Sequence, residues 1–189
     1  MESRRAAISE IDFSKEAFMK QIKKHIKDVP NFPKKGIIFK DITPLLMNPK
    51  ALQKVIDKWA LELKKFKINK VVAMESRGFL FGIPVALKLK AGFVPVRKPG
   101  KLPRKTISQS FSLEYGKDKL EIHQDAIKKG DRVLIIDDVL ATGGTAEAVT
   151  KLVEKLGGNI KSVAFLMELS FLNGRDKLKG YNISSHIKY

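Results

Sequence analysis

Cysteine is absent from the 189 residues. That excludes disulfides, thiolate nucleophiles and cysteine metal cages, and is compatible with a reducing compartment. Histidine is scarce. His25, His123 and His186 stand far apart and share no ligand spacing, so they predict no metal cage. The one tryptophan, Trp59, falls on the apolar face of a helical pattern and reads as core. No apolar run approaches the roughly 20 residues that cross a bilayer, and no apolar signal-peptide segment lies near Met1. The expectation is therefore a cytoplasmic protein with no membrane partner. A serine triad pattern, the G-x-x-x-x-G-K-[ST] loop and the G-x-G-x-x-G fingerprint are all missing, as are internal repeats.

Acidic side chains are also in short supply, with 20 Asp and Glu against 37 Lys and Arg, a net charge of +17. Such an excess suits a nucleic-acid surface or a polyanionic substrate. The lysines, however, are scattered along the chain rather than blocked or interleaved with aromatics. The sequence therefore favours solvated lysines over a nucleic-acid partner. Length and a hydrophobic content of 43% predict one domain over residues 1–189.

The most informative stretch is Val133–Thr145, V-L-I-I-D-D-V-L-A-T-G-G-T. Val133 to Ile136 read as a strand buried on both faces, the kind found in parallel sheets flanked by helices. The strand is expected to end at Asp137 and Asp138. Ala141, Thr142, Gly143, Gly144 and Thr145 follow, and then a helical pattern from Ala146 to Leu156. A glycine loop between strand and helix presents consecutive N–H groups and a positive dipole end, which suit a phosphate. The paired acids suit hydroxyls such as those of a ribose. Together they describe a ribose 5-phosphate site, and the bland reading is a tight turn beside two solvated acids.

The same logic recurs upstream. Val71–Met74 reads as a strand leading into Glu75, Ser76, Arg77 and Gly78, then a helix from Leu80 to Leu89. Before it, the pattern predicts a helix from Ser14 to Pro30 with Phe18, Ile22 and Ile26 on one face, and a second helix over 49–66. The proline-rich segment 31–46 reads locally as a loop packed on the core. After the Phe93–Val96 strand, the run Arg97–Lys105 is basic and rich in Pro and Gly, and reads as a mobile surface loop or a lid over polyphosphate. Ser110–Gly116 and Leu120–His123 alternate as a hairpin, in which Glu114 could be an ordinary exposed acid. A long apolar strand over 162–167, with Glu168 and Leu169 at its end, precedes a final strand over 181–185.

D-D-V-L-A-T-G-G-T resembles the phosphoribosyl diphosphate (PRPP) motif of type I phosphoribosyltransferases. Three further motifs, N-F-P-K-K-G-I-I-F-K-D, E-S-R-G-F, and R-K-P-G-K-L-P with L-E-Y-G, resemble the adenine phosphoribosyltransferase branch. The resemblance runs from about Phe32 to Leu178. It implies an α/β fold with a central, mostly parallel sheet flanked by helices, a small hood at about 30–46 and a flexible basic loop at about 98–110.

It implies purine salvage: adenine plus PRPP giving AMP and diphosphate, with Mg²⁺ held mainly through substrate oxygens. By resemblance Asp137 and Asp138 take the ribose diol, and Ala141, Thr142, Gly143, Gly144 and Thr145 take the 5-phosphate. Glu75 and Ser76, joined by a cis peptide in the family, bind diphosphate with Arg97, Lys98 and Lys101. Ile38, Phe39, Lys40 and Leu169 contact adenine, and Glu114 and Arg77 are catalytic. The resemblance also implies a homodimer. Lys40 replaces the commoner Arg, and Phe111 the commoner Tyr. A phosphoribosyltransferase for another purine base, or a PRPP-binding nucleic-acid regulator, are the alternatives.

Overall fold

The computed structural model describes residues 15–113 and 116–189. The chain divides into two compact units, Met1–Gln53 and Lys54–Tyr189.

In the first unit α1 covers Lys15–Lys23, with Phe18 and Ile22 buried. The helix expected to reach Pro30 stops at Lys23. Lys27–Pro30 is instead strand β1, paired antiparallel with β2 (Ile38–Asp41). Strand pairing overrides the helical period here, and Ile26 is buried without being helical. The segment expected as a loop thus contains strand β2, reached through a tight connection. Asn31 sits at φ 60°, its side-chain oxygen accepts the Gly36 N–H at 2.9 Å, and the Phe32–Pro33 peptide is cis. A short helix, α2 (Thr43–Leu46), follows, its start held by the Asp41 carboxylate, which accepts both the N–H and the hydroxyl of Thr43.

Helix α3 (Pro49–Leu63) buries Val55, Ile56, Trp59 and Leu63, as its period predicts, and closes in a 3₁₀ turn over Lys64–Phe66. The second unit continues with β3 (Lys70–Met74), α4 (Arg77–Leu89) and β4 (Gly92–Val96). A hairpin of β5 (Thr106–Leu113) and β6 (Gly116–His123) follows, then β7 (Arg132–Leu140), α5 (Gly144–Lys155), β8 (Asn159–Glu168) and β9 (Ile183–Lys188).

Five strands form one sheet in the order β4-β3-β7-β8-β9, and every pairing is parallel. The chain leaves β3 for β4 in one direction and β7 for β8 in the other. With right-handed crossovers this places α4 and α5 on opposite faces. Neighbouring strand residues confirm it. Gly82 of α4 packs on Ala73 and Ile136, whereas Val72 and Ile135 share a core with Ala146, Val149 and Leu152 of α5. The reversal between β3 and β7 is a topological switch point, where open α/β sheets form a crevice at the strands' carboxyl ends.

Several boundaries differ from expectation, among them the start of α4 at Arg77 rather than Leu80 and of β8 at Asn159 rather than Ser162. Strand β7 does not stop at the aspartates but runs through them to Leu140, because β8 pairs with it as far as Glu168. The basic loop is shorter than 98–110, because β5 begins at Thr106. Ile107 and Phe111 pack on the core, so their segment is strand. The last strand starts at Ile183 rather than Tyr181. The Tyr181 N–H closes a turn on Leu178, and its hydroxyl donates to Glu154 at 2.6 Å.

Candidate active site

The switch point gathers two groups of side chains. On the β3 side, the strand ends at Met74 and the Glu75–Ser76 peptide is cis, the family geometry. The Glu75 carboxylate is enclosed by the loop after β4. It accepts the Lys98 N–H at 2.7 Å and Arg97 Nε at 2.9 Å, and Lys101 Nζ lies 3.5 Å away. Burial pushes the Glu75 carboxyl up, but the Lys98 N–H, Arg97 and Lys101 outweigh it, and the net shift is downward. Arg97 also donates to the Lys101 carbonyl at 3.1 Å, and exchanges backbone bonds with Glu121. Thus Arg97, Lys98 and Lys101 form a cationic loop folded around one carboxylate, with the Lys98 ammonium 3.1 Å from Asp118.

On the β7 side, Asp138 is 2% exposed, and Arg77 Nε from the start of α4 lies 2.9 Å from its Oδ2. Asp137 Oδ1 accepts the Asp138 N–H at 2.9 Å. Burial, then the charge of Asp138, holds Asp137 well above the usual carboxylate range. Asp138 is raised by burial against the pull of Arg77. A side chain at Gly78 would begin 2.8 Å from Asp137 Oδ1, so only glycine lets α4 approach this strand.

Past Leu140, the chain turns through Ala141 and Thr142 to Gly143, at φ 79°, and α5 starts at Gly144. A Cβ on Gly143 would fall 2.4 Å from the Gly174 carbonyl oxygen, and one on Gly174 would fall 2.1 Å from that of Ala141. The loop is therefore pressed backbone to backbone against the 3₁₀ turn Gly174–Leu178. That turn is anchored by Arg175, whose Nε and Nη2 each lie 2.7 Å from a Glu168 oxygen, while Ser185 donates to the same carboxylate at 2.6 Å. Arg175 first, then Ser185, keeps Glu168 below its ordinary value.

The structure brings Glu75, Ser76, Arg77, Arg97, Lys98, Lys101, Asp137, Asp138 and the loop Ala141–Thr145 to one edge of the sheet. Leu169 joins them, its N–H donating to Leu140 at 2.9 Å. Ile38, Phe39 and Lys40 belong to the first unit. There Phe39 meets Phe32 edge to face at 5.2 Å and Lys40 pairs with Asp28 at 2.7 Å. Glu114 lies outside the described residues. Sequence reasoning missed Gly174 and the Glu168–Arg175–Ser185 network. The only hint was an acid closing one strand and an arginine seven residues on.

This geometry is that of a nucleotide-forming transferase, and residues 42–182 match the family model described as "Phosphoribosyl transferase domain". The chain is 61% identical to an adenine phosphoribosyltransferase of Flavobacterium johnsoniae over 89% of its own length and 99% of that protein. It is 58% identical to one of Clostridium botulinum over 89% and 98%. The crystal structure of the Thermoanaerobacter pseudethanolicus adenine phosphoribosyltransferase superposes with a TM-score of 0.88 at 56% identity, covering 90% of this chain and 99% of that one. The Saccharomyces cerevisiae protein, solved with an imino-altritol bisphosphate and adenine, gives 0.87 at 44%, over 90% and 99%. The chain belongs to the phosphoribosyltransferase family, in its adenine phosphoribosyltransferase branch.

Proposed function

We propose that this enzyme joins adenine to the phosphoribosyl group of PRPP, releasing AMP and diphosphate in purine salvage. The observation that carries the reading is the pairing, across one switch point, of an acid pair beside a glycine loop with a cationic loop. The adenine bound in the yeast relative supports the choice of base.

In this reading Ala141–Thr145 and the start of α5 hold the 5-phosphate through backbone N–H groups and the helix dipole. Asp137 and Asp138 accept the ribose hydroxyls. Arg97, Lys98 and Lys101 meet the diphosphate together with the Glu75–Ser76 peptide, and Arg77 shields the charge of Asp138. Adenine N9 attacks C1 as diphosphate leaves, and the developing negative charge meets cations already placed, so less reorganisation is needed at the moment of bond breaking. Ile38, Phe39, Lys40 and Leu169 are the proposed adenine contacts, and Glu114 the residue that exchanges a proton at N7.

Among the described residues no cluster of three metal-ligating side chains occurs. The adjacent carboxylates Asp137 and Asp138, hard oxygen donors beside the glycine loop, fit a Mg²⁺ ion held mainly by diphosphate and diol oxygens, with the two aspartates acting through the diol. The ion would supply counter-charge to the diphosphate. A cytoplasmic homodimer completes the reading.

The decisive experiment is AMP formation from adenine, PRPP and Mg²⁺, with guanine, hypoxanthine and xanthine in parallel. Turnover with adenine alone is expected. Turnover with another base would overturn the assignment of 38–40, and full kcat in Glu114→Gln would remove its proton role. Sedimentation at micromolar concentration tests the dimer.

A further inference from the structure

The parallel sheet has a second edge. All five strands start along it, opposite the carboxyl ends that carry the candidate active site. The segments that enter β3, β4, β7 and β8 there are 64–70, 88–92, 128–132 and 155–161. They carry eleven basic residues (four, two, three and two in chain order) against one acid, Asp131. Lys64, Lys65, Lys67, Lys90, Lys128 and Lys129 are exposed.

These segments are stitched together. The Asn69 N–H donates to the Arg132 carbonyl at 2.9 Å, and the Gly92 N–H to the Asn69 carbonyl at 2.9 Å. The Asn159 N–H donates to Asp131 at 2.8 Å, and the Gly130 N–H to Gly157 at 3.1 Å. Arg132 Nε reaches the Lys67 carbonyl at 2.9 Å. The lysines therefore project from one hydrogen-bonded platform, not from independent loops. Asp131 subtracts a single charge from the eleven, and its oxygens accept Asn69 Nδ2 and the Lys128 N–H, both at 2.9 Å. Among the described residues, Lys88 is the cation of these segments that forms an ion pair, with Asp57 at 2.8 Å.

Complementing helix dipoles accounts for Lys64, Lys88 and Lys155, at or just past the ends of α3, α4 and α5. It does not account for Lys128, Lys129, Arg132 or Lys161, which stand at strand entrances. Four strands, β4-β3-β7-β8, span about 15 Å at roughly 4.8 Å each. A nucleic-acid duplex presents about nine phosphate charges over that length. The one aromatic in the four segments, Phe66, is half-buried with Lys65 Nζ 5.2 Å above its ring, so the platform has no exposed stacking surface for single strands.

We infer that this edge binds the phosphate backbone of double-stranded nucleic acid, without sequence preference and independently of the transferase site. The test is fluorescence anisotropy with a 25-base-pair duplex between 50 and 200 mM salt. With about six phosphate contacts, affinity should fall roughly 10³-fold over that range. Replacing Lys64, Lys65, Lys128 and Lys129 with Gln should lower the slope of log K against log salt by about 3.6. It should weaken binding at least 10-fold at 100 mM, with adenine turnover unchanged as the check on folding. The matched variant, Gln at Lys20, Lys24, Lys27 and Lys35 of the first unit, should keep the wild-type slope. No saturable binding at 50 mM, equal loss in both variants, or displacement of the duplex by PRPP would overturn the inference. So would capture by anionic lipid vesicles in place of the duplex.

Discussion

Asp137 and Asp138 are adjacent carboxylates inside a strand whose neighbours are apolar, and one arginine, Arg77, faces the pair. Burial first, and then the negative charge of Asp138 beside it, is why Asp137 titrates high. A group whose folded value is raised favours the fold when protonated, and that stability is lost as pH rises through the folded value. Asp137→Asn should therefore stabilise the ligand-free protein by about 1 kcal/mol, or about 2–4 °C in Tm at this size. The gain should be larger at pH 8 than at pH 4, because a carboxyl raised in the fold is closer to neutral at the lower pH. The same variant should raise KM for PRPP at least 10-fold, because the ribose hydroxyls lose an acceptor. Calorimetry at both pH values with a steady-state assay checks this. A Tm gain as large at pH 4 as at pH 8 would refute the titration argument. The acid pair was legible in the sequence. Its burial was not, because burial depends on β8 pairing past the aspartates and on Gly78 admitting α4.

At the scale of elements, the phosphate loop depends on a turn far from it in sequence. Gly143→Ala would put a left-handed alanine against the Gly174 carbonyl, with both strain and clash opposing it. We expect a loss of at least 2 kcal/mol in stability and at least 100-fold in kcat/KM, read by urea melts and initial rates. Arg175→Met leaves Glu168 buried with the hydroxyl of Ser185 in place of a two-pronged guanidinium. The expected loss is about 2 kcal/mol at pH 7, discounted because Arg175 is partly exposed. Glu168 titrates below its ordinary 4.5 in the fold, so its contribution is present above that value and is lost as pH falls. The penalty of Arg175→Met should shrink below pH 4.5, and a pH-independent penalty would show that packing rather than charge is at stake. Hydrophobic period located α3, α4 and α5 well. It failed at Lys27–Pro30, where the helix read from Phe18, Ile22 and Ile26 gave way to pairing with β2, an interaction local periodicity cannot register.

For the whole molecule, a net charge of +17 means self-repulsion at low ionic strength. Screening shortens from about 30 Å at 0.01 M salt to about 8 Å at 0.15 M. Tm should rise by several degrees over that range, and a flat response would mean the ion pairs already balance the field. The sequence by itself determined the chemistry: which residues form strand–loop–helix units, where acids, glycines and cations fall, and the family these motifs belong to. Those are local properties, written in patterns of a dozen residues. Only the tertiary structure decided which distant groups share a neighbourhood. Five parallel strands carry every carboxyl end to one edge, so the acid pair, the phosphate loop and the cationic loop converge there. The same topology gathers lysines that are scattered along the chain onto the opposite edge, because strand order, not sequence spacing, sets which loops lie side by side.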